Sequence, residues 1–111
     1  MAVIRTIPSK RIIGGRIVES SEIALVSESS YSTLGENCVI VRGVAESVIT
    51  LNSTYSEHIV IKSMTKTTIR PDLGLIDEEY DEIQADKFAC IEFRFVGGNW
   101  YVLSSDGLKQ S

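Results

Sequence analysis

Nowhere in this chain do about a dozen residues place apolar side chains at i, i+3, i+4 and i+7, the spacing a helix needs to bury one face. Short runs rich in β-branched residues recur instead, with Gly, Pro, Asn, Asp and Ser between them. The runs are Arg5–Ile7, cut by Pro8, then Arg11–Val18, Glu22–Ser27, Cys38–Gly43, Val48–Leu51, His58–Met64, Thr67–Pro71, Phe88–Val96 and Trp100–Ser104. The polar stretch Glu28–Asn37 (ESSYSTLGEN) reads as a loop. In Phe88–Val96 the alternation puts Ala89, Ile91, Phe93 and Phe95 on one face. Gly97–Gly98 then supplies the positive φ of a tight hairpin, and Trp100–Ser104 returns antiparallel. These signals predict an all-β fold, a small antiparallel β-sandwich or β-prism-like module. A chain of 111 residues allows one modest core.

The N-terminal third alternates poorly. Ile12–Ile13, Ile17–Val18 and Leu25–Val26 are adjacent apolar pairs, which put apolar side chains on both faces of a strand. In so small a domain one of those faces is exposed unless a partner covers it, or else the segment is a poorly ordered arm. Charge divides at the same place. Residues 1–18 hold Arg5, Lys10, Arg11 and Arg16 and no acid, whereas the rest sets all fifteen acids against the other seven of eleven bases, for a net charge of −4. Such an acidic body repels phosphate and argues against direct nucleic-acid binding. A basic arm suits docking on an acidic neighbour, the alternative being a solvated terminus. We therefore divide the chain into residues 1–30, the N-terminal arm and first strands with Arg5, Lys10, Arg11 and Arg16 as docking residues, and residues 31–111, the β body.

No apolar run approaches the roughly 18 to 20 residues of a membrane-spanning helix, so no membrane insertion is expected. The N-terminus also lacks an apolar stretch followed by a small-residue cleavage site. Cys38 and Cys90 sit inside apolar runs at no disulfide or metal spacing and read as buried free thiols of a reducing compartment. The single histidine, His58, heads a strand, and nothing in the sequence nominates a group to orient it as a base. One histidine and two isolated cysteines fall short of a zinc set. The run Asp77-Glu78-Glu79-Tyr80-Asp81-Glu82 lacks the spacing and central glycine of a calcium loop and reads as a solvated acidic loop. Phe88, Phe93, Phe95, Trp100 and Tyr101 include a conceivable sugar-stacking platform, but their main role is hairpin packing. The reading is a chain with no catalytic residues, no metal and no cofactor: not an enzyme.

From Cys38 to Ser105 the chain resembles a module of phage tail-fibre, tail-spike and head-appendage proteins. There a strand ending in ITLP is followed by an xxIxIKN strand, then TVTPxxGxxID, then a segment ending in SDGxNWYxI. Here the stretches read VITLNSTYSEHIVIKSM, TTIRPDLGLIDEEYDEIQA and FACIEFRFVGGNWYVLSSDG, with Asn52 where the family has proline. The most specific points are Gly74–Asp77 and the GGNWYVL stretch. The resemblance implies a homotrimeric module of a virion, assembled in the bacterial host cytoplasm. Its partners are then its own copies and the major capsid protein or another virion protein. At this length the chain fits a capsid decoration (cement) protein or a short head fibre, attached through its N-terminal arm. The alternative is a tail-fibre or tail-appendage module that binds a host-surface glycan or receptor through outer loops carrying Tyr55, Glu57, Asp77, Glu78, Tyr80 and Trp100.

Overall fold

The computed structural model describes the backbone of residues 3–5, 10–13, 16–19 and 23–109 and the side chains of residues 23–106. Among the described residues the chain is all-β. The strands are β1 (Val3–Arg5), β2 (Lys10–Ile13), β3 (Arg16–Glu19), β4 (Ile23–Val26), β5 (Ser30–Ser32), β6 (Cys38–Val41), β7 (Glu46–Leu51), β8 (His58–Ser63), β9 (Lys66–Pro71), β10 (Ile83–Val96) and β11 (Asn99–Lys109).

The expected antiparallel sandwich or prism is corrected by the pairing. β4, β6 and β8 run parallel in one layer, and β5, β7 and β9 run parallel in another. The short segments 27–29, 42–45 and 64–65 do not close hairpins. Each carries the chain from the first layer to the second, so successive strand pairs stack as coils rather than folding back beside one another. Turn residues between two β-branched runs are therefore compatible with either a hairpin or a coil corner, and the sequence pattern alone does not separate them. The loop read at Glu28–Asn37 likewise contains β5, which pairs with β7 through Ser30↔Val48 and Ser32↔Thr50.

β10 joins the two layers. Its first residues pair antiparallel with β9 (Ile83↔Ile69, Ala85↔Thr67), and after a register shift its later residues pair antiparallel with β8 (Ile91↔Ile61, Arg94↔His58). β11 follows β10 along its length, from Val96↔Asn99 to Gln84↔Lys109, and gives the hairpin expected at Gly97–Gly98. The sheet path β1-β4-β6-β8-β10-β9-β7-β5 thus folds over into a nearly closed barrel-like sheet, open between its end strands β1 and β5.

The core fills the space between the layers in columns. Ala24, Val39, Ile61 and Ile91 stand in register across the first layer, and Tyr31, Ile49, Ile69 and Ile83 across the second. Most of these are buried, together with Leu51, Ile59, Ile76, Phe93 and Trp100. Each fully buried Ile, Leu or Phe contributes about 1.5–3 kcal/mol relative to exposure. Ala89, Ile91 and Phe93 bury the face that alternation assigned to them, with Phe95 half-buried beside them and its ring 5.2 Å from that of Trp100.

At the N-terminus β1 adds antiparallel to β4, with Arg5 opposite Ala24. The run Arg11–Val18 is two strands, not one: β2 and β3 pair as a separate antiparallel ribbon with Ile12↔Ile17. Ile7, Gly14 and Gly15 lie outside the described residues.

Candidate functional site

The two stretches that carry the family resemblance meet in space. The segment 74–80 folds onto the start of β11: Trp100 N donates to the Leu75 carbonyl at 3.0 Å, and Asp77 N donates to the Trp100 carbonyl at 2.8 Å. Side chains complete the junction. Asn99 Oδ1 accepts from Leu75 N at 2.9 Å, Asp77 Oδ1 accepts from Val102 N at 2.9 Å, and the Tyr101 hydroxyl donates to Glu78 at 2.9 Å. Asp77 and Glu78 reach these partners with φ of 53° and 60°, a left-handed region that Asn and Asp, among non-glycine residues, enter most readily. The loop therefore covers part of the outer edge of β11, which would otherwise offer unpaired backbone groups to another strand. All six residues of the acidic run are exposed, as expected of a solvated loop, and its first two carboxylates also bond to β11 from that exposed position.

The outer faces of the two layers differ in chemistry. Residues alternating with the core on β4, β6, β8 and β10 include Ile23, Leu25, Cys38, Ile40, Val60 and Cys90, all half-buried. On β5, β7 and β9 the same positions are Ser30, Ser32, Thr50, Thr68 and Arg70, with Val48 among them. One outer face is apolar and the other is hydroxyl-rich. The cysteines, expected in the core, belong to the apolar outer face, because the register of CVIV turns Val39 and Val41 inward. Partial burial pushes the Cys38 thiol above its ordinary pKa, with Cys90 adding to the rise.

Polar residues interrupt the apolar face at Lys62, which stands between Ile40 and Cys90, and at a cluster around His58 and Glu92, with Arg94 opposite His58. His58 Nε2 lies 2.5 Å from Glu92 Oε2, and Ser104 Oγ donates to Glu92 Oε1 at 3.0 Å. The carboxylate sits between the histidine and the serine, so the imidazole is not placed to take the serine proton. The hydrogen bonds from His58 and then Ser104 hold the Glu92 carboxyl below its ordinary pKa. Among the described residues no group of three or more His, Cys, Asp and Glu side chains is placed to hold a metal ion.

Coil stacking sorts the connections onto two opposite edges. One edge gathers the loops 33–37, 52–57 and 72–82, and the other gathers the corners 42–45, 64–65 and 86–88. Tyr55, Glu57 and Tyr80 all lie exposed on the loop edge, near Leu34 and Leu73. Trp100 is elsewhere: its ring is fully buried, and it presents no surface to a ligand. The backbones of Arg5, Lys10, Arg11 and Arg16 fall in β1, β2 and β3, and their side chains lie outside the described residues.

The corner edge holds a residue that the sequence reading counted with the hairpin core. Phe88 is 57% exposed and has φ of 73°, where β10 crosses from one layer to the other. The signal is its parity, since Phe88 is out of phase with Ala89, Ile91 and Phe93. Lys62 Nζ donates to the Phe88 carbonyl at 2.9 Å, and Lys87 Nζ sits 5.2 Å from the centre of its ring. Beside it an open groove of about 640 Å³ runs along Gly43, Val44, Met64, Thr65 and Lys66.

No model of a known protein family matches the chain, and no curated protein matches it.

Proposed function

We propose that this chain is a structural protein of a bacteriophage particle, a homotrimeric capsid decoration (cement) or short head-fibre protein attached through its N-terminal arm. The observation that carries this reading is the apolar outer face of the layer that β1 extends. Ile23, Leu25, Cys38, Ile40 and Val60 lie on the sheet that continues, through the β1–β4 pairing, into the basic segment. Apolar surface of this kind gains free energy when another protein covers it. A basic strand at its margin suits an acidic shell. The junction between segment 74–80 and β11 gives physical sense to the two most specific motifs of the resemblance, because they are halves of one contact.

The test is the copy number of the chain per purified virion, by quantitative mass spectrometry against the major capsid subunit. A ratio near that of the shell subunit supports decoration. A few per cent places the chain on the tail or as sparse head fibres, and absence from the particle overturns the reading.

A second reading is favoured by the exposed ring of Tyr55 beside Leu34 on the loop edge. Here the loops take a host-surface glycan, by stacking of the aromatic ring on a sugar. Tyr55→Ala would then abolish binding to host envelope without changing the melting temperature.

A further inference from the structure

We propose that copies of this chain join head to tail, with the Tyr80 end of one copy's loop edge seated on the Phe88 corner of the next. The inference rests on the assembly reading above and names the surfaces that carry it.

The two surfaces are opposite edges of the same coil stack, so a contact between them is heterologous and leaves one free surface of each kind until a ring closes. Their chemistry is complementary. At the loop edge Tyr80 is exposed between Glu79 and Asp81, and neither acid has an ion-pair partner among the described residues. Nearby, Glu82 is matched by Arg70 at 2.7 Å, and Asp77 and Glu78 are committed to β11. At the corner Phe88 stands among Lys62, Lys66 and Lys87, with Asp86 and Glu46 as the neighbouring acids. Lys66 and Glu46 form a loose exposed pair at 3.5 Å, leaving Lys62 and Lys87 as the cations facing an incoming carboxylate.

Each surface thus has an aromatic centre and a charged rim of opposite sign, the arrangement in which a buried aromatic anchor is ringed by contacts that set orientation. The groove beside Phe88 has room for an aromatic side chain. Phe88 is also preset for the role. A bulky residue at φ of 73° is strained, and a glycine would serve the crossing at lower cost. The ring stands outward at the crossing, with Lys87 over it and Lys62 bonded to its carbonyl.

The experiment uses the full chain and two double variants, Glu79→Gln/Tyr80→Ala on the loop edge and Lys87→Gln/Phe88→Gly at the corner. Sedimentation velocity on the unaltered chain is expected to show a discrete oligomer that weakens with added salt. Each variant alone should associate at least about tenfold more weakly. Mixed in equal amounts, the two variants should form a one-to-one dimer and stop there, because only one intact pair of surfaces remains. An unaltered chain that is monomeric at all concentrations overturns the contact. So do variants that associate as before, and a mixture that stays monomeric although both variants melt cooperatively. Copy number per virion separates this inference from the one beneath it. A chain present on the particle whose oligomer ignores both variants loses the head-to-tail contact and keeps its virion role.

Discussion

At Gly74 an added Cβ would lie 1.9 Å from the Gly98 carbonyl oxygen and 2.8 Å from Asn99 Oδ1, and the backbone φ is 72°. Gly97 has a similar φ of 60°, but an added Cβ there meets nothing within 4 Å. The pair separates conformational cost from steric overlap. Gly97→Ala should cost about 1–2 kcal/mol, the penalty of a left-handed backbone for an L-residue. Gly74→Ala should cost at least about 3 kcal/mol, because the junction between segment 74–80 and β11 must also open. Urea denaturation of both variants measures the difference.

Glu92 supplies a pH test. Its carboxyl is held below the ordinary value of 4.5, chiefly by the hydrogen bond with His58 and then by that from Ser104. A depressed folded-state pKa contributes stability that is fully present above the unfolded value and is lost as pH falls through the folded one. Stability of the unaltered chain should therefore decline on acidification below pH 4.5 more steeply than that of Glu92→Gln. Thermal melts of the two proteins over that range check the sign, and equal slopes would remove Glu92 from the account.

At the scale of elements, the parallel columns make each core position the neighbour of its counterparts one coil away. Ile69 lies between Ile49 and Ile83 in register and is fully buried, so Ile69→Ala leaves a cavity flanked on both sides and should cost about 2–5 kcal/mol. Ser63 occupies the equivalent place beside Val41, itself beside Val26, yet its buried hydroxyl has no hydrogen-bond partner among the described residues. An unmet buried hydroxyl costs about 1–3 kcal/mol, so Ser63→Ala should stabilise the protein by on the order of 1 kcal/mol. Denaturant midpoints of the two variants should move in opposite directions.

For the whole molecule, the proposed architecture assigns separate surfaces to separate tasks. The apolar face and the N-terminal segment meet the particle, the two edges meet other copies, and the hydroxyl-rich face of β5, β7 and β9 remains toward solvent. Removing residues 1–16 should abolish attachment to particles while leaving a soluble oligomer. Retention of attachment in a particle-binding assay would show that the arm is not the grip.

The all-β class, the β10–β11 hairpin and its inward face were legible in the sequence because they depend on local alternation and turn chemistry. A further signal was present and passed unread. CVIV with ESVITL and HIVIKS with KTTIRP repeat one apolar pattern, and their counterparts Val39 and Ile61, Ser47 and Thr67, and Ile49 and Ile69 stand side by side in the structure. Such a repeat points to stacked coils. Alternation also assigned inward and outward residues within a strand without saying which strand lies alongside, since period two is the same in parallel and antiparallel sheets. The direction of pairing, the placement of both cysteines on an outer face, the burial of Trp100 and the union of Gly74–Asp77 with the GGNWYVL stretch all depend on contacts between residues distant along the chain. Local preference therefore settled where the strands are and which way their side chains alternate. Their partners, and with them the residues left on the outer faces, were settled by packing two layers around one core.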